Sequence, residues 1–410
     1  MPSNQRQLLP FFVAIFIGFL GMSTPLPLFP PMFLQKTSFF LDPLLGNSAR
    51  MLWLSLTFVL HPVGQFFGSS FWGMLSDRIG RKNALTLSLL GSFLSYIAVG
   101  IMIVSNSLLG LLFARLFCGF SQGNLSIVQA AITDRASDNE RGLLLGRLYA
   151  FISLAFIIGP LVVGLWIRSS GLSPFNCAIA FWTIAALLAL ASVSLYFFAK
   201  DAQTTSGSST ESSVKDQLKS VLTLFESRPL AAVFITNFLI YMGIFGYFRF
   251  YLTHFFEAFH WGSFELSIIA AYGGLCIGLS QLFIMKVASK FFGEVRLLSL
   301  ASVVFCFGIY LMTQSKDPYG FIYTLPVCGM GLGLSYPLCT LIASRASANL
   351  PQGQSLGLNQ SVRVIAEVIS GILGGLIAGY GSKYALLIGG IVTLCGGLLL
   401  LQREAVVDNS

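Results

Sequence analysis

Glu367 stands inside a long apolar run, four residues after Arg363 and eight after Asn359. Positions i and i+4 share a helix face, so a carboxylate, a guanidinium and an amide are predicted to sit in one column. An acid in such a place can carry a proton. Burial favours its neutral form and the neighbouring cation its charged form, and alternating access to water would let it gain and lose a proton each cycle. The alternative is a permanent Arg363–Glu367 pair that only holds helices together.

Arg115 lies about eight residues into a second apolar run, about 12 Å deep at 1.5 Å per residue. Gln122, Ser126 and Gln129 follow at i+7, i+11 and i+14 and are predicted to form a polar stripe on the face of Arg115. Lipid does not tolerate such a stripe, so it should line a central cavity or hydrogen-bond between helices. Asn237, Tyr241 and Phe248 share another face with the same choice. Arg249 either contacts a solute or snorkels to the surface. His61 and Gln65 make a one-turn pair that reads as a hydrogen-bond partner or a proton relay. His254, Glu257, His260 and Glu265 read as a solvated loop or a metal site.

The elements that must position these groups are set by composition. Of 410 residues, 55% are hydrophobic and 10% charged, against roughly a quarter charged in soluble domains. The mean hydropathy is +0.80. The fold class is therefore an all-α integral membrane protein. Apolar runs at 10–31, 50–72, 83–104, 107–131, 143–167, 174–198, 230–254, 264–286, 295–314, 319–344, 355–379 and 382–402 predict 12 transmembrane helices. A Ser/Thr-rich, charged segment at 199–229 reads as a cytoplasmic linker with a surface helix, between six-helix halves at 1–198 and 230–410. No cleavage site precedes the first run, which reads as a signal anchor. With the N-terminus inside, most of the 24 Lys and Arg collect on one face, which places both termini in the cytoplasm. The net charge of +8 follows from this topology and not from a nucleic-acid site. The 7 Cys have no metal spacing and read as small core residues.

Between the second and third runs lies Gly73-Met74-Leu75-Ser76-Asp77-Arg78-Ile79-Gly80-Arg81-Lys82, which reads as a charged turn at the membrane surface. Gly73 would let helices approach closely and Gly80 would take a positive φ. Asp77 can pair with Arg81 and accept hydrogen bonds from a helix N-terminus, or merely offset local cations. The halves repeat. Arg135-Ala136-Ser137-Asp138-Asn139 recurs as Arg345-Ala346-Ser347-Ala348-Asn349, and Cys118-Gly119 as Cys328-Gly329 at the same offset. The opening turn recurs in eroded form, with Gly293 for Gly80 and Lys290 for Asp77.

Twelve spans, this duplication and the pattern G-x-L-x-D-R-x-G-R-K at Gly73–Lys82 resemble the major facilitator superfamily, closest in pattern to its drug:proton antiporter branch of tetracycline and multidrug exporters. Arg115-Leu116-Phe117-Cys118-Gly119 is similar to the family's R-x-x-x-G motif. Ala155, Gly159, Pro160 and Gly164 resemble its helix-packing Gly-Pro motif, with Ala in place of the first Gly. The resemblance implies two pseudo-symmetric six-helix halves, with Gly73, Asp77, Arg78, Gly80 and Arg81 as a conformational latch. It also implies an acid in the first span, where this chain has Gly18, so that span carries no ionisable group.

These observations predict a secondary active transporter that works by alternating access on a small-molecule substrate, driven by protons. It is expected to be a monomer in the lipid bilayer, the bacterial inner membrane, with no cofactor and no nucleic-acid partner. The substrate and coupling residues are expected among Arg115, Gln122, Ser126, Asn237, Tyr241, Arg249, Asn359, Arg363 and Glu367. Three embedded Arg against one Glu favour an anionic metabolite or siderophore. The alternatives are a broad multidrug efflux pump, suited to 38 Phe, and a non-transporting membrane sensor. Gly-x-x-x-x-Gly-Lys-[Ser/Thr] does not occur, and no nucleophile, base and orienting group share a usable spacing, so an enzyme is not expected.

Overall fold

The computed structural model describes residues 3–35, 41–42, 44–134, 138–198, 228–347 and 352–402. The surface helix expected in the linker, and the repeated Arg135–Ser137, lie outside the described residues. Within them are 12 helices of membrane-crossing length: α1 Leu8–Leu34, α2 Asn47–Ile79, α3 Arg81–Val104, α4 Leu108–Ile132, α5 Leu144–Ser170, α6 Pro174–Phe198, α7 Leu230–Phe259, α8 Ser263–Ala288, α9 Glu294–Gln314, α10 Pro318–Ala346, α11 Leu358–Ala378 and α12 Ser382–Leu401. Helix is what an apolar run of this length must form in lipid, where each backbone group needs an internal partner. Phe113, Phe197, Leu282 and many other large apolar side chains are exposed on the helices, as a surface that meets acyl chains requires.

Two helices break within their spans, one of them at a proline. Pro25 has no N–H to donate, and α1 divides there into Ser3–Ser23 and Pro25–Leu34. The Thr24 hydroxyl donates to the Leu20 carbonyl at the break. The second break lies in α4, at Gln122–Asn124 between Leu108–Ser121 and Leu125–Thr133. It corrects the expectation of an uninterrupted polar stripe. At the break Gly123 lies against the Gly68–Ser69 backbone so closely that a Cβ would overlap it. A π turn over Ser280–Ile284 interrupts α8.

The helices gather into two compact units that mostly follow the halves of the sequence, with two exchanges. Leu45–Val59, the first part of α2, belongs to the second unit, and Ser263–Ile268, the start of α8, to the first. In the first unit α2 and α4 pack backbone to backbone. A Cβ at Gly64, Gly68 or Gly119 would strike the carbonyl oxygens of Leu116, Phe120 or His61, respectively. Trp72 Nε1 donates to the Phe120 carbonyl along the same seam at 2.8 Å. In the second unit Gly243 of α7 meets Thr393 and the Gly389 carbonyl of α12, and Gly375 and Gly379 of α11 meet Ser55 and Ser48 of α2. Cys118, Cys177, Cys328 and Cys339 are buried in these helices.

Candidate functional site

The charged stretch between α2 and α3 is shorter as a turn than its sequence suggests. α2 runs on to Ile79 and α3 starts at Arg81, so Gly80 alone reverses the chain, with φ of 90°. Asp77 pairs with Arg81. Arg81 also donates from Nε to Asp134 Oδ2 at 3.0 Å and from Nη1 to Ser76 Oγ at 2.6 Å. A cation in the first turn of a helix opposes the helix dipole, and two carboxylates here offset it. Asp134, at the end of α4, thereby joins the ends of α2, α3 and α4, a partner that sequence spacing does not reveal. Arg78 is exposed. Gly73 stands 4.0 Å, measured from a built Cβ, from Ser126 Oγ; the tight approach falls at Gly64 and Gly68 instead. In the second unit Glu294 opens α9 as Arg81 opens α3, and it pairs at 2.8 Å with Arg345 near the end of α10. The eroded repeat thus keeps its ion pair with the charges reversed.

Arg115 is buried in the first unit, 2% exposed, with its guanidinium over the Phe29 ring at 5.7 Å. Gln122, at the break in α4, gathers three neighbouring helices. Its Nε2 donates to the Gly18 carbonyl at 3.1 Å and to the Tyr96 hydroxyl at 3.2 Å. Its Oε1 lies 2.8 Å from His61 Nε2. Gly18 therefore presents a backbone carbonyl to this polar cluster. Gln65 donates to the Gln122 carbonyl at 3.4 Å. Ser126, half-buried, lies 3.5 Å from the Ser69 carbonyl, and Gln129 donates to the Tyr149 hydroxyl at 3.0 Å on the exposed side. Asn124 reaches Ser88. The residues expected in one column thus serve different neighbours.

Glu367 is 7% exposed and Arg249 8%. Arg249 Nη2 lies 3.9 Å from Glu367 Oε1, and Nη1 donates to the Glu367 carbonyl at 3.1 Å. The guanidinium occupies the space that a side chain at Gly371 would fill. Arg249 is thus drawn into the second unit and does not snorkel. Arg363 Nε donates to Gln360 Oε1 at 3.0 Å, and its guanidinium lies 5.6 Å from the Phe245 ring centroid. Asn237, Tyr241 and Asn359 form one buried network. Asn237 Nδ2 donates to the Cys339 carbonyl at 2.8 Å and to Asn359 Oδ1 at 3.1 Å, and Asn359 Nδ2 to the Tyr241 hydroxyl at 2.9 Å. These bonds tie α7, α10 and α11 together. Phe248 packs beside Phe245 and Tyr247.

The packing motif of α5 works against α1. Ser23 Oγ donates to the Ala155 carbonyl at 3.3 Å, and a Cβ at Gly159 would overlap that hydroxyl. Pro160 continues the helix and is buried, and Gly164 abuts Ser267. At the end of α7, Glu257 accepts from the Ser382 backbone N–H at 2.9 Å and so caps α12. Among the described residues no three His, Cys, Asp or Glu side chains converge as a metal site.

Twelve membrane-length helices holding buried cations, a buried acid and paired amides make a polytopic membrane transporter. The model of the Major Facilitator Superfamily matches residues 11–363 and 233–409, and the chain belongs to that superfamily. It is a transporter, not an enzyme. Multidrug resistance protein 2 of Bacillus subtilis is 24% identical over 96% of this chain and 94% of its own length. The class B tetracycline resistance protein of Escherichia coli is 31% identical, but over only 42% of each chain. Among solved structures, the fold is similar to that of the human organic anion transporter MFSD10, with a TM-score of 0.71 at 18% identity, covering 98% of this chain and all of that one. It is also similar to a D-xylose-proton symporter, with a TM-score of 0.74 at 14% identity and 96% of each chain covered.

Proposed function

We propose that this chain is a proton-coupled carrier of a small organic anion, working by alternating access. The observation that carries this reading is the charge inside the helices. Arg115, Arg249 and Arg363 are embedded with a single acid, Glu367, and Glu367 is paired with Arg249. Within each unit the embedded guanidinium groups outnumber the embedded carboxylates, and a net positive charge in a low-dielectric region favours an anionic solute and disfavours a lipophilic cation. Glu367 is the proton site, Arg115 is an anion partner in the first unit and Arg363 one in the second, and the Asp77–Arg81–Asp134 cluster is the latch. The cargo class is a carboxylate-bearing metabolite or siderophore. The protein acts as a monomer in a bacterial inner membrane with both termini in the cytoplasm.

Counterflow in proteoliposomes tests this. Purified protein should exchange labelled organic carboxylates, and Arg115→Gln and Arg363→Gln should each reduce that exchange at least tenfold. Exchange unchanged in both variants would overturn the anion assignment. A second reading, broad drug efflux, is supported by the full-length likeness to multidrug resistance proteins. It predicts exchange of several unrelated drugs that is insensitive to both substitutions. A sensor with this fold would show no flux of any solute.

A further inference from the structure

The imidazole of His61 lies in the first unit, 1% exposed, and its protonation can be read from its neighbours. The Gly18 carbonyl can only accept, so the Gln122 amide must turn its Nε2 toward Gly18 and its Oε1 toward His61. His61 Nε2 therefore carries the hydrogen. Its Nδ1 is then a bare lone pair, buried and without a hydrogen-bond partner among the described residues. A buried acceptor left in this way costs free energy. The cost disappears when a proton or a donor arrives.

The groups that face His61 come from three neighbouring helices. α4 supplies Arg115, the charged group whose field reaches the imidazole, and the Gln122 amide. α3 supplies Tyr96, bonded to the same Gln122. α1 contributes only the Gly18 carbonyl, since Leu8–Leu34 holds no ionisable side chain. On α2 itself the nearest charged residues along the chain are Arg50 and Asp77, at opposite ends. The sixteen residues to Asp77 span about 24 Å at 1.5 Å per residue, and Asp77 is engaged with Arg81. Asp134, at the end of α4, is likewise engaged with Arg81. Protonating the imidazole would thus add a second positive charge beside the Arg115 guanidinium in a buried region.

We propose that His61 is a second proton site of the carrier, and that its Nδ1 takes a proton when an anionic group of the solute lies against Arg115. The step moves one proton from water to Nδ1, with Nε2–H still donating to Gln122. The negative charge of the anion offsets the positive charge that the proton adds. Proton and anion then bind more tightly together than apart, and the coupling is reciprocal. The inference rests on the anion reading above, and it adds a proton taken up in the first unit, separate from Glu367 in the second.

Two measurements on the full chain test it, with benzoate and benzenesulfonate as probes that stay ionised between about pH 5 and 8, the range in which an imidazole titrates. In wild type the Kd of each probe should rise with pH, by up to about tenfold per unit for one linked proton. In His61→Asn that pH dependence should weaken by the share of one proton while binding persists. In protein with 15N-labelled imidazoles and His254 and His260 replaced by Asn, solid-state spectra in liposomes should show His61 neutral without the probe and doubly protonated with it. Arg115→Gln should leave His61 neutral in both. Probes that bind with the same pH dependence in wild type and His61→Asn, or a His61 that stays neutral when they bind, would overturn the proposal and leave the anion reading intact. Failure of both probes to bind wild type at any pH would overturn the anion reading, and the proposal with it.

Discussion

Gly371 is the position where a single methyl group should disturb the buried ion pair. A Cβ there would overlap Arg249 Nη1 and also press on Val59 Cγ2. To restore van der Waals distance the guanidinium must retreat by about 2 Å, which lengthens the 3.9 Å separation from Glu367 to about 6 Å. At an effective dielectric constant of about 20, Coulomb attraction falls from about 4.3 to about 2.8 kcal/mol. Gly371→Ala should therefore cost about 1.5 kcal/mol, roughly a factor of ten in an equilibrium constant. Arg249 is flexible, so the cost is electrostatic more than steric. A double-mutant cycle separates the two: unfolding in mixed micelles is measured for Gly371→Ala, for Glu367→Gln and for both together. The structure predicts a coupling of about 1–2 kcal/mol, because Gly371→Ala has little left to disrupt once Glu367 is neutral. Additive costs, within the ~0.5 kcal/mol typical of independent sites, would refute the placement of Arg249 against Gly371 and Glu367.

Three further outcomes follow from the geometry. Asp77→Asn should slow transport several-fold while solute affinity stays within about twofold, since exposed ion pairs contribute only about 0–1 kcal/mol to stability; transport assays paired with equilibrium binding check this, and a comparable loss of affinity would count against the latch. Gly68→Ala should destabilise by more than about 3 kcal/mol, because its Cβ would meet the Phe120 backbone and not a movable side chain, whereas Gly73→Ala, with 4.0 Å of room, should change stability by less than about 0.5 kcal/mol; thermal unfolding in detergent separates the two. Arg345→Glu should break the second unit's ion pair with Glu294, and adding Glu294→Arg to it should restore the pair with its charges exchanged, which a cycle of unfolding energies would show as a coupling of up to about 1 kcal/mol.

The transmembrane helices were legible in the sequence because each is a long apolar run bounded by charge or by Gly and Pro, and the bilayer leaves such runs one backbone solution. Asp77 and Arg81 were legible as partners because four residues on one helical path bring them together. Other features were hidden for physical reasons. The turn at Gly73–Lys82 looks long because Ser76, Asp77 and Arg78 are polar, yet polar residues continue a helix readily once it reaches water. The stripe from Arg115 to Gln129 rests on an unbroken period, and the turn at Gln122–Asn124 interrupts it where Gly123 meets the Gly68–Ser69 backbone. Arg363, at the favoured i,i+4 spacing, acts on Glu367 electrostatically and bonds Gln360, whereas the pairing of Glu367 with Arg249 joins residues 118 positions apart. Helical spacing finds neighbours on one helix and is silent about those on another.

If protons and an organic anion move together through a site that depends on Glu367, as proposed, both movements should be seen at once. Proteoliposomes carrying an internal pH dye, given an imposed pH gradient and a labelled aromatic carboxylate, measure them. Wild type should show gradient-driven accumulation with matching proton movement. In Glu367→Gln accumulation should be lost while counterflow without a gradient persists. Accumulation by Glu367→Gln equal to that of wild type, with the same proton movement, would contradict the proposal.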